Sequence, residues 1–471
     1  MIHFGTGGWR AIIADDFTKS NLQLLGFSLA HMMKDTNSAD KGIVIGYDRR
    51  FLSKESCHWL AEVMAAEGIK CYIVDRSAPT PMIMFTVKKM DIPFGMAVTA
   101  SHNPAIYNGV KVFTEGGCDA NADVTKKIEE YAEKLSGQAI PVMDYEEGKA
   151  KGIITEINPF NDYIDSILSL VDLDSIKKAR LRIALDPMYG VSETSLRTIL
   201  AIARCEVQVI HDRHDTLFGG HLPAPNEKTL GALSNFVIDN YCDLGIATDG
   251  DADRLGVIDD KGIFVPPNHL LVLLYYYLMR YRGWRGPVVR NNSTTALLDK
   301  VAAAFGQKCY EVPVGFKYIS AKMYETDAII GGESSGGLTV KGHIRGKDGI
   351  YAGTLLIEMM ATTKKKLSEM YKEITDQFGE VFTCDADFRL TPKTKEALKY
   401  TLYTEKTIPE FPYEIDHISH EDGSKVYFKN GGWVIARFSG TEPLLRLGSE
   451  MPDQESANNL ISIYKDFFNL K

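Results

Sequence analysis

Short apolar runs recur along this chain, separated by stretches in which apolar residues return every three or four positions. The first group has runs at 42–46, 70–74 and 95–99, with a helix-like stretch over 55–67 between the first two. A second group repeats the layout at 181–185, 206–210 and 244–248, and a third at 287–290, 308–312 and 328–331. Runs of this length alternating with helical periodicity predict buried parallel strands joined by crossover helices. Three similar α/β domains follow from that repeat. After residue 377 the pattern changes: Thr, Tyr and Phe become more frequent, a Glu-Asp-Gly-Ser turn stands at 421–424, and the chain ends in a helix-like tail. This predicts a smaller C-terminal α+β domain. A chain of 471 residues exceeds one core, and the expected spans are 1–155, 156–258, 259–376 and 377–471.

The third run of each repeat opens into a polar loop: Thr-Ala-Ser-His-Asn-Pro at 99–104, Asp-Gly-Asp-Ala-Asp-Arg at 249–254 and Gly-Glu-Ser-Ser-Gly-Gly at 332–337. In open α/β sheets, ligands bind beyond the carboxyl ends of strands. Equivalent loops on three domains therefore suggest one shared cleft.

Asp249, Asp251 and Asp253 directly follow a strand, and three carboxylates at this spacing repel one another unless a cation holds them. Oxygen-only ligands select a hard ion, magnesium before calcium. Gly250 is expected to let the chain turn tightly there. A calcium loop of the EF-hand kind is excluded because its twelfth position is Asp260 rather than Glu; a solvated acidic turn is the plainer alternative. Ser101, at the matching strand end, is a weak nucleophile alone, and the loop could be only a turn closed by Asn103 and Pro104. Opposite a metal held by three aspartates, its hydroxyl suits phosphoryl acceptance. Arg437, Ser439, Gly440 and Thr441 supply a guanidinium, two hydroxyls and a glycine within five residues, the makings of a phosphate cradle. A lone arginine in a surface turn is the bland alternative. Glu333 and Ser335 offer an acceptor and a donor for adjacent sugar hydroxyls.

A net charge of −9 argues against a nucleic-acid-coating protein. No basic start followed by an apolar stretch opens the chain, and the longest apolar run, 270–279, is too short to span a membrane. Seven scattered cysteines without C-x-x-C spacing suit reduced thiols. The expectation is a cytoplasmic protein with small anionic partners, no nucleic acid and no membrane.

In their order, the loops at 99–104, 249–254, 332–337 and 437–443, with the start Phe-Gly-Thr-Gly-Gly-Trp-Arg at 4–10, resemble the α-D-phosphohexomutases across the whole chain, nearest to the phosphoglucomutases. The resemblance implies four domains in a heart shape. It implies that Ser101 is a phosphoserine whose phosphate completes the magnesium coordination by Asp249, Asp251 and Asp253. Arg254 would hold the transferring phosphoryl group, and Lys111, Arg10 and His102 would stand near the reacting hydroxyl. Glu333 and Ser335 would grip the sugar, Lys317 would contact the ligand, and Arg437, Ser439, Gly440 and Thr441 would bind the non-reacting phosphate. The implied reaction interconverts hexose 1-phosphate and hexose 6-phosphate through a hexose 1,6-bisphosphate, which also activates the enzyme. The 332–337 loop is nearest to the Gly-Glu-Glu-Ser-Gly-Gly of phosphoglucomutases, which favours glucose; Phe316, where some relatives have histidine, speaks against a mannose-type contact. A phosphomannomutase or a dual-specificity enzyme is the alternative. A phosphatase would not need the second phosphate cradle, and a non-catalytic sensor would not need Ser101 with all three aspartates.

Overall fold

A computed structural model describes residues 2–5, 7–439 and 443–470. They pack as two compact units, Met1–Leu270 with Ser335–Leu367, and Leu271–Ser334 with Ser368–Lys471.

The first unit contains two sheets. One has parallel strands Ile43–Tyr47, Cys71–Val74, Phe94–Val98 and Ile154–Ile157 at its centre and one side. The other has Arg182–Asp186 between the parallel strands Glu206–Val209 and Leu244–Thr248. Strands therefore form where the short apolar runs predict them, because these runs are buried on both faces: Ile43, Val44 and Ile45 are all inaccessible to solvent. The third strand of each of these two repeats departs from the expected crossover. Phe94–Val98 returns antiparallel as Tyr107–Thr114, and Leu244–Thr248 returns as Leu255–Ile258. The polar loops at 99–104 and 249–254 thus connect antiparallel neighbours, which fixes both loop ends to the sheet.

Residues 335–367 pack within the first compact unit. Their helix Gly349–Thr363 is buried along almost its whole length, so it needs cover on every side. It packs against helices Leu173–Ala179 and Ser192–Ile202 and against strand Leu255–Ile258. Asp348 caps it, accepting from the backbone N–H of Ile350 and Tyr351.

In the second unit, parallel strands Cys309–Val312, Val288–Asn291 and Ile330–Gly332 match the third predicted repeat. An antiparallel sheet follows in the order Phe382–Arg389, Leu444–Met451, Trp433–Phe438, Ser424–Phe428, Ile415–Ser419, covered by helix Gln454–Phe467. This is the expected small α+β domain. A buried ionic knot ties it to the parallel strands: Glu311 accepts from Lys425 Nζ at 2.8 Å and also from Arg290 and Tyr427. The Lys425 ammonium lies 4.4 Å from the Trp433 ring centre. Burial pushes the Glu311 carboxyl up, but Arg290 and Lys425 outweigh it and bring it down to about 2.

Candidate active site

The site in the first unit begins with backbone geometry. Ser101 is 1% exposed and adopts a left-handed backbone, φ +52°. For a residue other than glycine this costs roughly 1–2 kcal/mol, so the surroundings must over-determine it. Its Oγ donates to Asp249 Oδ2 at 2.6 Å and lies 3.3 Å from His102 Nδ1. Gly250 is not in the left-handed region; Ala252 is, at φ +64°. The glycine is required for another reason: a Cβ there would lie 2.7 Å from the Ser101 carbonyl oxygen. Gly250 lies in the expected tight turn, closed by the Ala252 N–H to the Asp249 carbonyl at 3.0 Å, and it also permits the close approach of the two loops.

Within the 249–254 loop, Asp249 Oδ1 accepts from the backbone N–H of Asp253 and of Arg254, each at 3.0 Å. Asp251 Oδ2 accepts from Lys111 Nζ and from Thr80 Oγ1, both at 2.6 Å. Asp253 Oδ2 takes Lys111 Nζ at 2.6 Å and Lys347 Nζ at 3.0 Å. All three carboxylates are buried and offer ligand oxygens within 4.8 Å of one another. Asp251 Oδ1 and Asp253 Oδ1 are buried with no hydrogen-bond partner. Such orphaned oxygens each cost about 1–3 kcal/mol, and a hard divalent cation relieves that cost. The residues fit magnesium.

Burial, with the charges of Asp253 and Asp251, raises the Asp249 carboxyl to about 7. Burial also pushes Asp253 up, but Lys111, Lys347 and Arg254 overcome it and hold this carboxyl well below its ordinary value. His102 is driven well below its usual range by burial and by Arg254 and Arg10, so it stays neutral. Arg10, on strand Gly8–Ile12, donates to Asn103 Oδ1 at 2.6 Å. Arg254 Nε is buried without a hydrogen-bond partner. Four cationic side chains (Arg10, Lys111, Arg254 and Lys347) therefore lie around a serine hydroxyl and a carboxylate triad, an arrangement chemically suited to neutralising a phosphoryl group.

Lys347 and Thr80 are members of this group that no spacing in the sequence singles out. Lys347 comes from the segment that returns to the first unit, next to Gly349, where a Cβ would lie 2.5 Å from the Arg254 carbonyl oxygen. A Lys-Asp-Gly triplet at 347–349 is the only signal the sequence carries.

The remaining predicted residues, Ser335 apart, lie in the second unit. Glu333, at the end of strand Ile330–Gly332, accepts from Asn291 Nδ2 at 3.4 Å, and the next backbone N–H, Ser334, bonds Thr294 Oγ1 at 3.2 Å. Arg437 lies 4.0 Å from Asp422 Oδ2, and burial lowers its proton affinity while Asp422 and Glu333 act against that. Asp422 Oδ2 also accepts from Val314 N–H at 2.8 Å. The turn at 421–424 therefore connects the Arg437 strand to the loop before Lys317, a role the sequence does not show. Lys317 lies in the first turn of helix Phe316–Thr326. Phe316 is 4% exposed and packs with Val289, Val312 and Ile319, so it belongs to the core. Ser439 N–H bonds the Leu444 carbonyl. Gly440 and Thr441 lie outside the described residues. Ser335 is exposed and begins the returning segment of the first unit.

No helix among the described residues is long and apolar enough to cross a membrane. The sequence matches the phosphoglucomutase/phosphomannomutase alpha/beta/alpha domains I, II and III at residues 1–139, 161–262 and 266–378, and the C-terminal domain at 394–462. A phosphoglucomutase/phosphomannomutase of Thermococcus kodakarensis is 29% identical over 98% of this chain and 97% of its own. A phosphoglucosamine/phosphogalactosamine mutase of Sulfurisphaera tokodaii is 26% identical over 98% of each chain. The crystal structure of a Thermus thermophilus protein assigned as a phosphomannomutase gives a TM-score of 0.86 at 27% identity over 99% of both chains. With all four domains matched in order, this chain belongs to the phosphoglucomutase/phosphomannomutase family, phosphohexomutases that act as intramolecular phosphotransferases.

Proposed function

We propose that this enzyme interconverts glucose 1-phosphate and glucose 6-phosphate through a phosphoserine at Ser101 and a glucose 1,6-bisphosphate intermediate. The observation that carries the proposal is the 2.6 Å contact of Ser101 Oγ with Asp249, beside two buried carboxylate oxygens that lack partners. Asp249, Asp251 and Asp253 would hold magnesium together with an oxygen on Ser101. When bound, the ion supplies charge neutralisation at the serine phosphate.

The chain's own residues then divide the work. Arg10 and Arg254 bind the phosphoryl oxygens. Lys111 holds Oδ2 of Asp251 and of Asp253, and Lys347 also holds that of Asp253, so the Oδ1 atoms of both would be available to hold the cation. His102, kept neutral, can hold or pass a proton at Ser101 Oγ. Glu333 and Ser335 grip the sugar hydroxyls, Lys317 contacts the ligand, and Arg437 with Ser439, Gly440 and Thr441 holds the phosphate that is not reacting. The bisphosphate must turn around once per cycle, so a reacting pole and a holding pole serve both orientations. We take the partners to be small sugar phosphates only, met in the cytoplasm, with the bisphosphate as activator.

Glucose is favoured by the Gly-Glu-Ser-Ser-Gly-Gly loop at 332–337. The name of the Sulfurisphaera relative makes amino sugars a required comparison. Assays with the 1-phosphates of glucose, mannose and glucosamine, each with catalytic bisphosphate, test the reading. Highest kcat/KM on glucose supports it; a preference for mannose or glucosamine phosphate overturns the specificity, and full activity in Ser101→Ala overturns the mechanism.

A further inference from the structure

We propose that Asp48 and Arg50 form a positioning pair that sets Ser101 for phosphoryl transfer, an inference that rests on the reading above. Both are 3% exposed, and both follow strand Ile43–Tyr47, the sheet neighbour of the strand that delivers the serine. Asp48 N–H bonds the Val98 carbonyl at 3.0 Å, so the two strand ends are in register.

The pair grips Ser101 from both sides. Asp48 Oδ2 accepts from Thr99 Oγ1 at 2.6 Å, and Thr99 Oγ1 accepts in turn from the Ser101 N–H at 2.9 Å. On the other side, Arg50 Nη2 donates to the carbonyl of Ser101 at 2.7 Å. The same guanidinium donates to the carbonyls of Asn103 at 2.7 Å, Pro104 at 2.9 Å and Tyr107 at 3.0 Å. Arg50 Nε faces Asp48 Oδ2 at 3.4 Å, and the guanidinium rests 4.8 Å from the Phe218 ring centre. Asp48 Oδ1 is held in turn by Arg50 N–H and Ser53 Oγ. One ion pair thus controls the N–H and the C=O of the serine, and with them its left-handed backbone.

A generic core arginine would spread its donors over whatever carbonyls lie near. Here all the carbonyl acceptors just named fall between 101 and 107, in the loop that carries the nucleophile and the first residue of the strand after it. Only a planar five-donor fork can serve so many carbonyls at once; a lysine offers a point charge with three donors. The serine must present Oγ to one phosphate and then, after reorientation, to the other. A loop free to relax from its left-handed setting would lose alignment at both encounters, and small misplacements of this kind lower turnover strongly. Beyond each other, Val98, Ser53 and the Phe218 ring, the contacts described for Arg50 and Asp48 fall on 99–107, and none is with a group assigned to the sugar or the non-reacting phosphate. Their loss should therefore reach the chemical step and spare substrate affinity.

The test uses Arg50→Lys, Arg50→Ala and Asp48→Asn in the full chain with magnesium. Arg50→Lys should lower kcat for glucose 1-phosphate on the order of 10- to 100-fold while KM stays within about twofold. Asp48→Asn should show the same split with a smaller loss, and it keeps the test open if the arginine variants fold poorly. In Arg50→Ala, added guanidinium ion should restore part of kcat, whereas ammonium should not. Unchanged kcat in Arg50→Lys and Asp48→Asn overturns the proposal. So does a parallel loss of kcat, affinity and melting temperature without guanidinium rescue, which marks a purely structural pair. A wild-type chain inactive on every hexose phosphate overturns the function itself; an active wild type with unaffected variants overturns only this inference.

Discussion

Lys111 and Asp253 form a buried ion pair, Nζ to Oδ2 at 2.6 Å, that divides the labour between the two oxygens of one carboxylate. Oδ2 answers the lysine, and Oδ1 is left without a partner. The same division holds at Asp251. Lys111 therefore orients two members of the triad and, being positive, would also oppose the cation proposed to bind there. In Lys111→Met, magnesium should bind several-fold more tightly while turnover falls at least about 100-fold, since a positioned charge is lost. Calorimetric titration of magnesium against steady-state rates checks the opposed signs. A loss of metal affinity would show that orientation outweighs charge.

Chelation should stop turnover, and added magnesium should restore it. Asp251→Asn removes one charge and should weaken magnesium by at least about tenfold, because one of the triad's two unpartnered oxygens belongs to this residue. Calcium should bind and support little turnover, as its looser geometry positions the phosphoryl group poorly. Full activity in excess chelator sinks the metal reading.

Arg437→Ala removes a charge-assisted contact worth about 1.5–3 kcal/mol, or about 10- to 150-fold in KM. Glucose and mannose phosphates should suffer equally, because the proposed role of this side chain is to read phosphate and not sugar. Asp422→Asn should reproduce part of the effect, since its carboxylate spans Arg437 and the Val314 N–H. An unchanged KM for both sugars would place the holding pole elsewhere.

Glu311 gives the second unit a defined acid response. Its folded carboxyl titrates at about 2, against 4.5 in an unfolded chain. The stabilisation is therefore complete above pH 4.5 and is lost as the pH falls toward 2, a span worth about 3 kcal/mol. Glu311→Gln should melt lower than wild type at neutral pH, and the gap should close as the pH approaches 2. A gap that is constant with pH would assign the effect to packing around Lys425 and not to charge.

The strands were legible because each is a run of apolar residues buried on both faces, and the aspartate triad because three carboxylates two residues apart have few other uses. Ser101 became readable only beside that triad. Lys347, Thr80, Asp48 and Arg50 were not legible. Each acts across the fold: Thr80 meets Asp251 from 171 positions away, and Arg50 meets the Ser101 carbonyl from 51. Periodicity reports what an element buries, not which partner arrives from another sheet. The turn at Gly250 is legible because it is local, whereas the steric limit set by the Ser101 carbonyl, which arrives from another loop, is not. Periodicity does not show that helix Gly349–Thr363, inside the stretch matched to domain III, buries its apolar surface within the first compact unit.

That returning helix has a consequence for synthesis. The ribosome delivers the whole of the second sheet before residue 270, yet the helix that covers it starts about 80 residues later. At roughly 5–20 residues per second, the nascent chain spends several seconds with that apolar face bare. The first unit is thus closed by its own late sequence, and Ser101, the aspartate triad and Lys347 can come together only after the parallel strands of the second unit have been made. Translation speed through 271–334 therefore sets how long that face waits for its cover.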